Sequence, residues 1–341
     1  IGIPAVDEIR HIVRARGGPA RLLDVAHDVL GVADQVLAGA AGAAHVRIYD
    51  NFSRGTRDNL SQALGDARCE IFAAGGDILH RDTLGKAMEG MDGAFHLAAL
   101  WLLQCHDYPR SAFEVNVAGT MNVIETAIAS GIRRLVFSSS ASVYGDAVAE
   151  PMEEDHPFNC QDLYGASKAC GEMLLRALYN REHQKGGAFE YVGLRYMNVY
   201  GARQDARGDY VGVVTRMLNA LDAGTQPIIH GDGTQAYDFV DVSDCARANI
   251  LAMQASSTNR HYNVGTGIKT TVAELAERLR LLHPSRTAAR FEPSSRPFVR
   301  NRVGATSLAA ADLGFHATVP LDSGLRDFIH WRAAQSTGGH P

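Results

Sequence analysis

The chain has 341 residues, 46% hydrophobic and 21% charged, with a formal net charge of −5. That is enough chain for one large α/β unit with an appended lobe, or for two domains. Its mild acidity excludes the basic footprint of a nucleic-acid binder or an anionic-membrane binder.

From residue 45 onward short apolar runs alternate with helical patterns. "HVRIYD" (45–50), "CEIFAAGGDI" (69–78), "GAFHLAAL" (93–100), "RRLVFSSS" (133–140) and "EYVGLRY" (190–196) read as strands. Between them, "RDTLGKAMEGM", "SAFEVNVAGTMNVIETAIAS" and "LYGASKACGEMLLRALYN" place apolar residues at helical spacing. Strict alternation implies right-handed βαβ crossovers and a parallel sheet covered on both faces. Ligands on such sheets bind at the carboxyl ends of the strands. Asp50, Asp77, His96, Ser138 to Ser140 and Asn198 fall at those ends. After residue 200 the alternation weakens, and the tail "AAQSTGGHP" reads as frayed.

The helix that follows the serines carries "DLYGASKACGE" (162–172), with Tyr164 and Lys168 four residues apart. That spacing stacks the two side chains on one helical face. A phenol beside an ammonium is either an ordinary surface pair or a base with its activating charge. The serine run 24 residues earlier puts hydroxyls where a substrate would sit, although serines alone also satisfy turn backbone.

Taken with "IYDNFSRGTRDNL", "GDIL", "HLAAL", "NVAGTMNVIETA", "VFSSSASVYG", "LRYMNVYGARQ", "GDGTQAYDFVDVSD" and "YNVGTG", the chain resembles the extended short-chain dehydrogenase/reductases. Within them it is similar to the nucleotide-sugar epimerase/dehydratase family, over residues 45 to about 330. The resemblance implies a Rossmann-type, doubly wound parallel α/β sheet with a smaller C-terminal substrate-binding domain. The NAD-binding domain would comprise residues 1–195 plus 236–262, and the nucleotide-sugar domain 196–235 plus 263–341.

In the resemblance Tyr164 removes a sugar hydroxyl proton while the carbon beneath gives a hydride to NAD. Ser140 holds the same oxygen, and Lys168 favours the phenolate and grips the nicotinamide ribose. Asp50, followed by Asn51 and Ser53, would hydrogen-bond the adenosine ribose and favour NAD over NADP, with Arg54 nearby as a competing phosphate partner. Asp77 and Ile78 match the adenine cradle, Leu97, Ala98 and Ala99 the small-residue turn at the cofactor, and Asn116 a supporting position. Dehydratases and decarboxylases of the family carry carboxylates just after the serine. Here those positions are Ala141 and Ser142, which implies oxidation and re-reduction without elimination, that is, 4-epimerisation.

On the substrate side, Ser142 and Asn198 are expected at the nucleotide sugar, and Tyr237 stands where the family has a pyrophosphate arginine. Arg296, Arg300 and Arg302 lie where its second arginine and a sugar-pocket residue fall, and an extra arginine there fits a substrate with a carboxylate.

One part departs from the pattern. The family opens with a strand and TGxxGxxG, whose glycines let a helix N-terminus approach the pyrophosphate. Counting back from Asp50 reaches "LLDVAHDVLGVADQVLAG", with only Gly31 near the right place and Asp24 and Asp28 set to repel a diphosphate.

The expected activity is NAD-dependent 4-epimerisation of a UDP-hexose or UDP-hexuronic acid. A 4-keto-sugar reductase and a silent, ligand-sensing relative are the rivals. A homodimer is expected through the helices near residue 100 and at Tyr164. Fourteen scattered histidines and five separated cysteines form no ligand cluster or even disulfide set. No metal site is expected, and a reducing cytoplasm is. No run approaches the roughly 18 apolar residues of a membrane span, and the first residues lack the order of a signal peptide.

Overall fold

The structure, a computed structural model, describes residues 14–15, 18–25, 43–205, 211–293 and 299–337. Seven parallel strands form its main sheet: β1 (Arg21–Val25), β2 (His45–Tyr49), β3 (Cys69–Ile71), β4 (Gly93–His96), β5 (Arg134–Ser140), β6 (Glu190–Tyr196) and β7 (Arg260–Val264). Their order across the sheet is β7-β6-β5-β4-β1-β2-β3. The order reverses between β1 and β4, so a crevice opens there at the carboxyl ends of the strands.

Both faces are covered, which is why the strands read as apolar runs. Helices α1 (Arg81–Met88), α2 (Thr120–Ala129) and α3 (Leu163–Gln184) pack on one face. Leu23, Tyr49, Leu84, Ile124, Leu135, Phe137, Leu175 and Tyr191 form that core. The other face is covered partly by α4 (Val242–Gln254), over a core that includes Leu22, Ile48, Phe95, Val136, Leu194 and Ala248. A third core gathers Tyr200, Met217, Leu218, Phe239, Leu275, Leu279 and Phe328. It is built by helices 213–222, 272–282 and 321–337 with the short parallel pair 198–200 and 239–241.

A strand lies in each of the five runs expected from residue 45 onward, but those read over 69–78 and 93–100 end at Ile71 and His96, and α1 and α3 fall on the expected helical patterns. The third pattern, 111–130, is divided: a π-helical stretch over Phe113–Gly119 precedes α2. The sheet also has a strand in the segment that resisted reading. β1 lies between β2 and β4, pairing Asp24 with Ile48 and with Phe95.

Candidate active site

Ser140 ends β5, and its hydroxyl accepts the Ser142 amide at 3.1 Å to cap the short helix 141–144. The catalytic candidates follow on α3, which starts where Asp162 accepts the Gly165 amide at 2.7 Å. Gly165 is required by close approach. A Cβ there would lie 2.4 Å from the Ser142 carbonyl oxygen, so the helix rests directly on the serine turn.

Tyr164 is half-buried, and its phenol is hydrogen-bonded by Ser140. Lys168 is buried, and its ammonium donates to the Ser138 carbonyl at 2.7 Å. The ammonium sits 5.7 Å from the Tyr164 ring centre and 5.2 Å from that of Phe137. Ser140, Tyr164 and Lys168 are therefore brought together.

The electrostatics differ from the expectation that Lys168 would lower the phenol pKa. Burial pushes Tyr164 up to about 12, against the Ser140 hydrogen bond and the Arg302 charge, which pull it down. Burial likewise pulls Lys168 down to about 8, with Cys105 and Glu172 opposing. At each group desolvation outweighs the neighbours that oppose it.

Beneath the site lies a buried polar frame. Arg195 grips Glu172 through Nε at 2.9 Å and Nη2 at 2.7 Å, and the Ser139 hydroxyl donates to the same carboxylate at 2.5 Å. Burial alone would raise Glu172, but His261 and Arg195 outweigh it and hold the carboxyl below its usual range. His96, wholly buried, has Nε2 at 3.0 Å from the Thr120 hydroxyl, and burial pulls it down to about 3. It is a neutral imidazole beside a charged lysine.

Asp50 is buried just past β2 and accepts the Phe52 amide at 2.6 Å. Gly76 packs against it so closely that a Cβ would meet the Asp50 carbonyl at 2.0 Å. Asn51 and Ser53 are exposed and linked at 3.0 Å, the Ser53 amide donating to the Asn51 side chain. Asp77 is half-buried and accepts the Leu79 amide at 2.9 Å, while Ile78 is buried. Leu97, Ala98 and Ala99 follow β4, half-buried, at the edge of the crevice. Asn116 is buried, and its amide is engaged on both sides. It accepts the Leu100 amide and donates to the Leu100 carbonyl, each at 2.7 Å, and donates to the Ser167 hydroxyl at 3.1 Å. It thus ties the 97–100 turn to the catalytic helix.

The expectation for Asp24 is corrected. It is a buried residue inside β1, on the Tyr196 side of the sheet, and not a turn residue facing a diphosphate. Asp28, Gly31 and the rest of 26–42, where the phosphate turn was sought, lie outside the described residues, as does Arg296.

On the substrate side Asn198 opens the short strand 198–200, half-buried, and its amide donates to the Asp238 carbonyl at 2.9 Å. Tyr237 pairs in register with Arg302 on a parallel two-residue strand, and its hydroxyl donates to the Val299 carbonyl at 2.9 Å. Arg302 Nη1 donates to the Ser142 hydroxyl at 3.3 Å. Ser142, Tyr237 and Arg302 thus form one wall beside Tyr164.

Sequence reading missed a further contact. Arg54 stacks over Trp101, 4.2 Å from the ring centre, and pairs with Asp205 at 3.5 Å. It lines a cleft with Phe52, Ser53, Gly55, Thr56, Gln104 and Asp205. Arg54, Trp101 and Asp205 lie far apart in sequence, so no local spacing could reveal their contact. Among the described residues there is no metal-ligand cluster and no helix long and apolar enough to cross a membrane.

The chain's own groups fit a nicotinamide dinucleotide. A carboxylate stands at the β2 end, and the Lys168 ammonium, only 4% exposed, gives one of its three N–H groups to the protein. Comparison with known proteins agrees. The profile of the NAD dependent epimerase/dehydratase family matches residues 20–265. A UDP-glucose 4-epimerase of Mycolicibacterium smegmatis is 36% identical over 71% of this chain and 75% of its own. Among solved structures, the UDP-N-acetylglucosamine 4-epimerase of Methanobrevibacter ruminantium, in complex with UDP-N-acetylmuramic acid, superposes with a TM-score of 0.83. It is 26% identical, covering 93% of this chain and 99% of that one. The UDP-glucose 4-epimerase of Thermotoga maritima with UDP-glucose gives 0.82 at 27% identity, covering 92% and 99%. The chain belongs to the NAD-dependent epimerase/dehydratase family.

Proposed function

We propose that the protein is an NAD-dependent nucleotide-sugar 4-epimerase acting on a UDP-sugar. The observation that carries this is the meeting of Ser140, Tyr164 and Lys168 beside a turn whose next two residues, Ala141 and Ser142, hold no carboxylate. NAD, when bound, supplies reversible hydride exchange with the sugar carbon. Tyr164 takes the proton of the sugar 4-hydroxyl on oxidation and returns it on reduction. The Ser140 hydroxyl holds that oxygen in line. Lys168, with two N–H groups left, positions the ribose and adds positive charge beside the phenol. With Ala141 and Ser142 after Ser140, the carboxylates that dehydratases and decarboxylases of the family carry there are missing, which favours a 4-keto sugar that is reduced again, from either face, over elimination.

Asp50, Asn51 and Ser53 are assigned to the adenosine ribose, Asp77 and Ile78 to the adenine, and Leu97 to Ala99 to the nicotinamide side. Asn116 acts on the cofactor turn through the Leu100 backbone. Ser142, Asn198, Tyr237 and Arg302 are assigned to the nucleotide sugar. The third core, drawn mostly from 196–235 and 263–341 with Phe239 from the other part, supports reading those segments as the substrate lobe and 1–195 plus 236–262 as the cofactor domain.

A homodimer is part of the same proposal. Exposed Leu102, Tyr108, Phe113 and Met173, on the 100s helices and α3, support it. The five free cysteines fit a cytoplasmic setting.

The test is to incubate the NAD-loaded protein with UDP-glucose and with UDP-glucuronic acid and to follow the C4 epimers by NMR. Epimer formation without net NADH change is expected. Net accumulation of NADH with a 4-keto sugar, and no epimer, would replace the reading with a reductase. No turnover despite bound nucleotide sugar would make the protein a sensor.

A further inference from the structure

Among the described residues Arg302 has no ion-pair partner, although it sits at the site beside Ser142. Its Nη1 donates to Ser142, its Nε is sealed from solvent with no hydrogen-bond partner, and its Nη2 has no partner among the described residues. Two carboxylates act on it electrostatically, Asp162 and Asp146, together with the phenols of Tyr237 and Tyr164. Both carboxylates are engaged elsewhere. Asp162 caps α3 through the Gly165 amide at 2.7 Å, and Asp146 accepts the Arg300 amide at 2.7 Å. Neither forms an ion pair with Arg302.

A guanidinium with its Nε sealed from solvent and no ion pair is poorly compensated, and burial pulls its pKa down against the pull of the neighbouring carboxylates. Such an arrangement becomes favourable when a ligand brings the anion. The position says which part of the ligand. Arg302 borders Ser142 and lies close enough to Tyr164 for its charge to lower that phenol. An anion held here is within reach of the proton-transfer group, hence on the reacting sugar.

We propose that Arg302 is a specificity residue that receives a carboxylate on the sugar ring, so that the substrate is a nucleotide-linked hexuronic acid in preference to a neutral hexose. This rests on the epimerase reading above. The competing anion of the same ligand is the diphosphate, which neutral and acidic nucleotide sugars share. A planar guanidinium suits either, but only the carboxylate distinguishes the two substrates.

The experiment uses UDP-glucuronic acid and UDP-glucose as probes of the NAD-loaded protein, wild type, Arg302→Met and Arg302→Lys. Binding is measured by calorimetry and kcat/KM by epimer formation. Wild type is expected to bind UDP-glucuronic acid at least about tenfold more tightly, charge-assisted hydrogen bonds giving roughly ten- to hundredfold. In Arg302→Met the preference should collapse to within about threefold of unity, and Arg302→Lys should keep part of it. If both ligands weaken together and the preference survives, Arg302 serves the diphosphate and the proposal falls. Equal binding of the two by wild type overturns it as well. If UDP-glucose is epimerised and UDP-glucuronic acid rejected, the epimerase reading stands while this inference fails. If the binding preference holds without epimer formation, the epimerase reading fails and the assignment of Arg302 stands.

Discussion

The Lys168 ammonium donates to the Ser138 carbonyl at 2.7 Å, joining the helix of the base to the strand of the serine. One buried cation therefore ties together the two halves of the proposed proton-transfer site, and in the proposed mechanism it also holds the cofactor. Its burial has a price that depends on pH. Folding lowers its pKa from 10.5 to about 8, so between those values the unfolded chain binds more protons than the folded one. Stability from this group rises with pH there, and the full cost is present below pH 8. Wild type should gain on Lys168→Met as pH rises from about 7.5 to 10, by up to roughly 3 kcal/mol. Thermal unfolding across that range is the measurement. A gap that stays flat, or moves the other way, would mean that Lys168 is solvated.

Tyr164→Phe should lower turnover by about two to four powers of ten while nucleotide-sugar binding changes little. Kinetics and calorimetry on the same preparation check both halves. Near-normal turnover would remove Tyr164 from the mechanism. Because the Ser140 hydrogen bond opposes burial at the phenol, Ser140→Ala should also move the acidic limb of the pH–rate profile to higher pH. An unmoved limb would show that Ser140 only orients the sugar.

The cofactor should be NAD rather than NADP. Asp50 is the residue proposed for the ribose, and the guanidinium of Arg54, the rival for a 2′-phosphate, is held on Trp101 and Asp205. Titration of both nucleotides should favour NAD by more than about tenfold in wild type, with the ratio narrowed in Asp50→Ala, since a carboxylate no longer repels the phosphate. A wild-type preference for NADP would mean that Arg54 turns toward the nucleotide.

Gly165→Ala should separate α3 from the serine turn, because the added methyl meets the Ser142 carbonyl at 2.4 Å. We expect a loss of about 1–3 kcal/mol in stability and a larger relative fall in kcat than in substrate affinity. Unchanged kcat with lowered stability would place the strain elsewhere.

Much of this site was legible because its parts are local. The Tyr164 and Lys168 pair follows from helical spacing, and Ser140 from an apolar run ending in hydroxyls. β1 was not read, since Asp24 interrupts its apolar run, and Asp24 is buried on the side of Tyr196, far along the chain. The coupling of Arg54 to Asp205 joins loops about 150 residues apart and leaves no trace in spacing. The phenol was expected to be lowered by its lysine neighbour, but burial dominates, and burial is a property of the assembled fold.

The π-helical stretch at Phe113–Gly119 has a consequence for how this region tolerates length changes. A π turn holds one residue more than an α turn, so the helical faces before and after it are out of phase by about 100°. With that offset in place Asn116 reaches Leu100 and Ser167, and Thr120 reaches His96. Deleting a single residue here would restore regular α geometry and rotate Asn116 away from the cofactor turn. The segment would thus become a more regular helix and a worse enzyme. Removing one residue near the exposed Gly131 turn should cost far less in NAD affinity, and comparing the two deletions by calorimetry would separate phase from length.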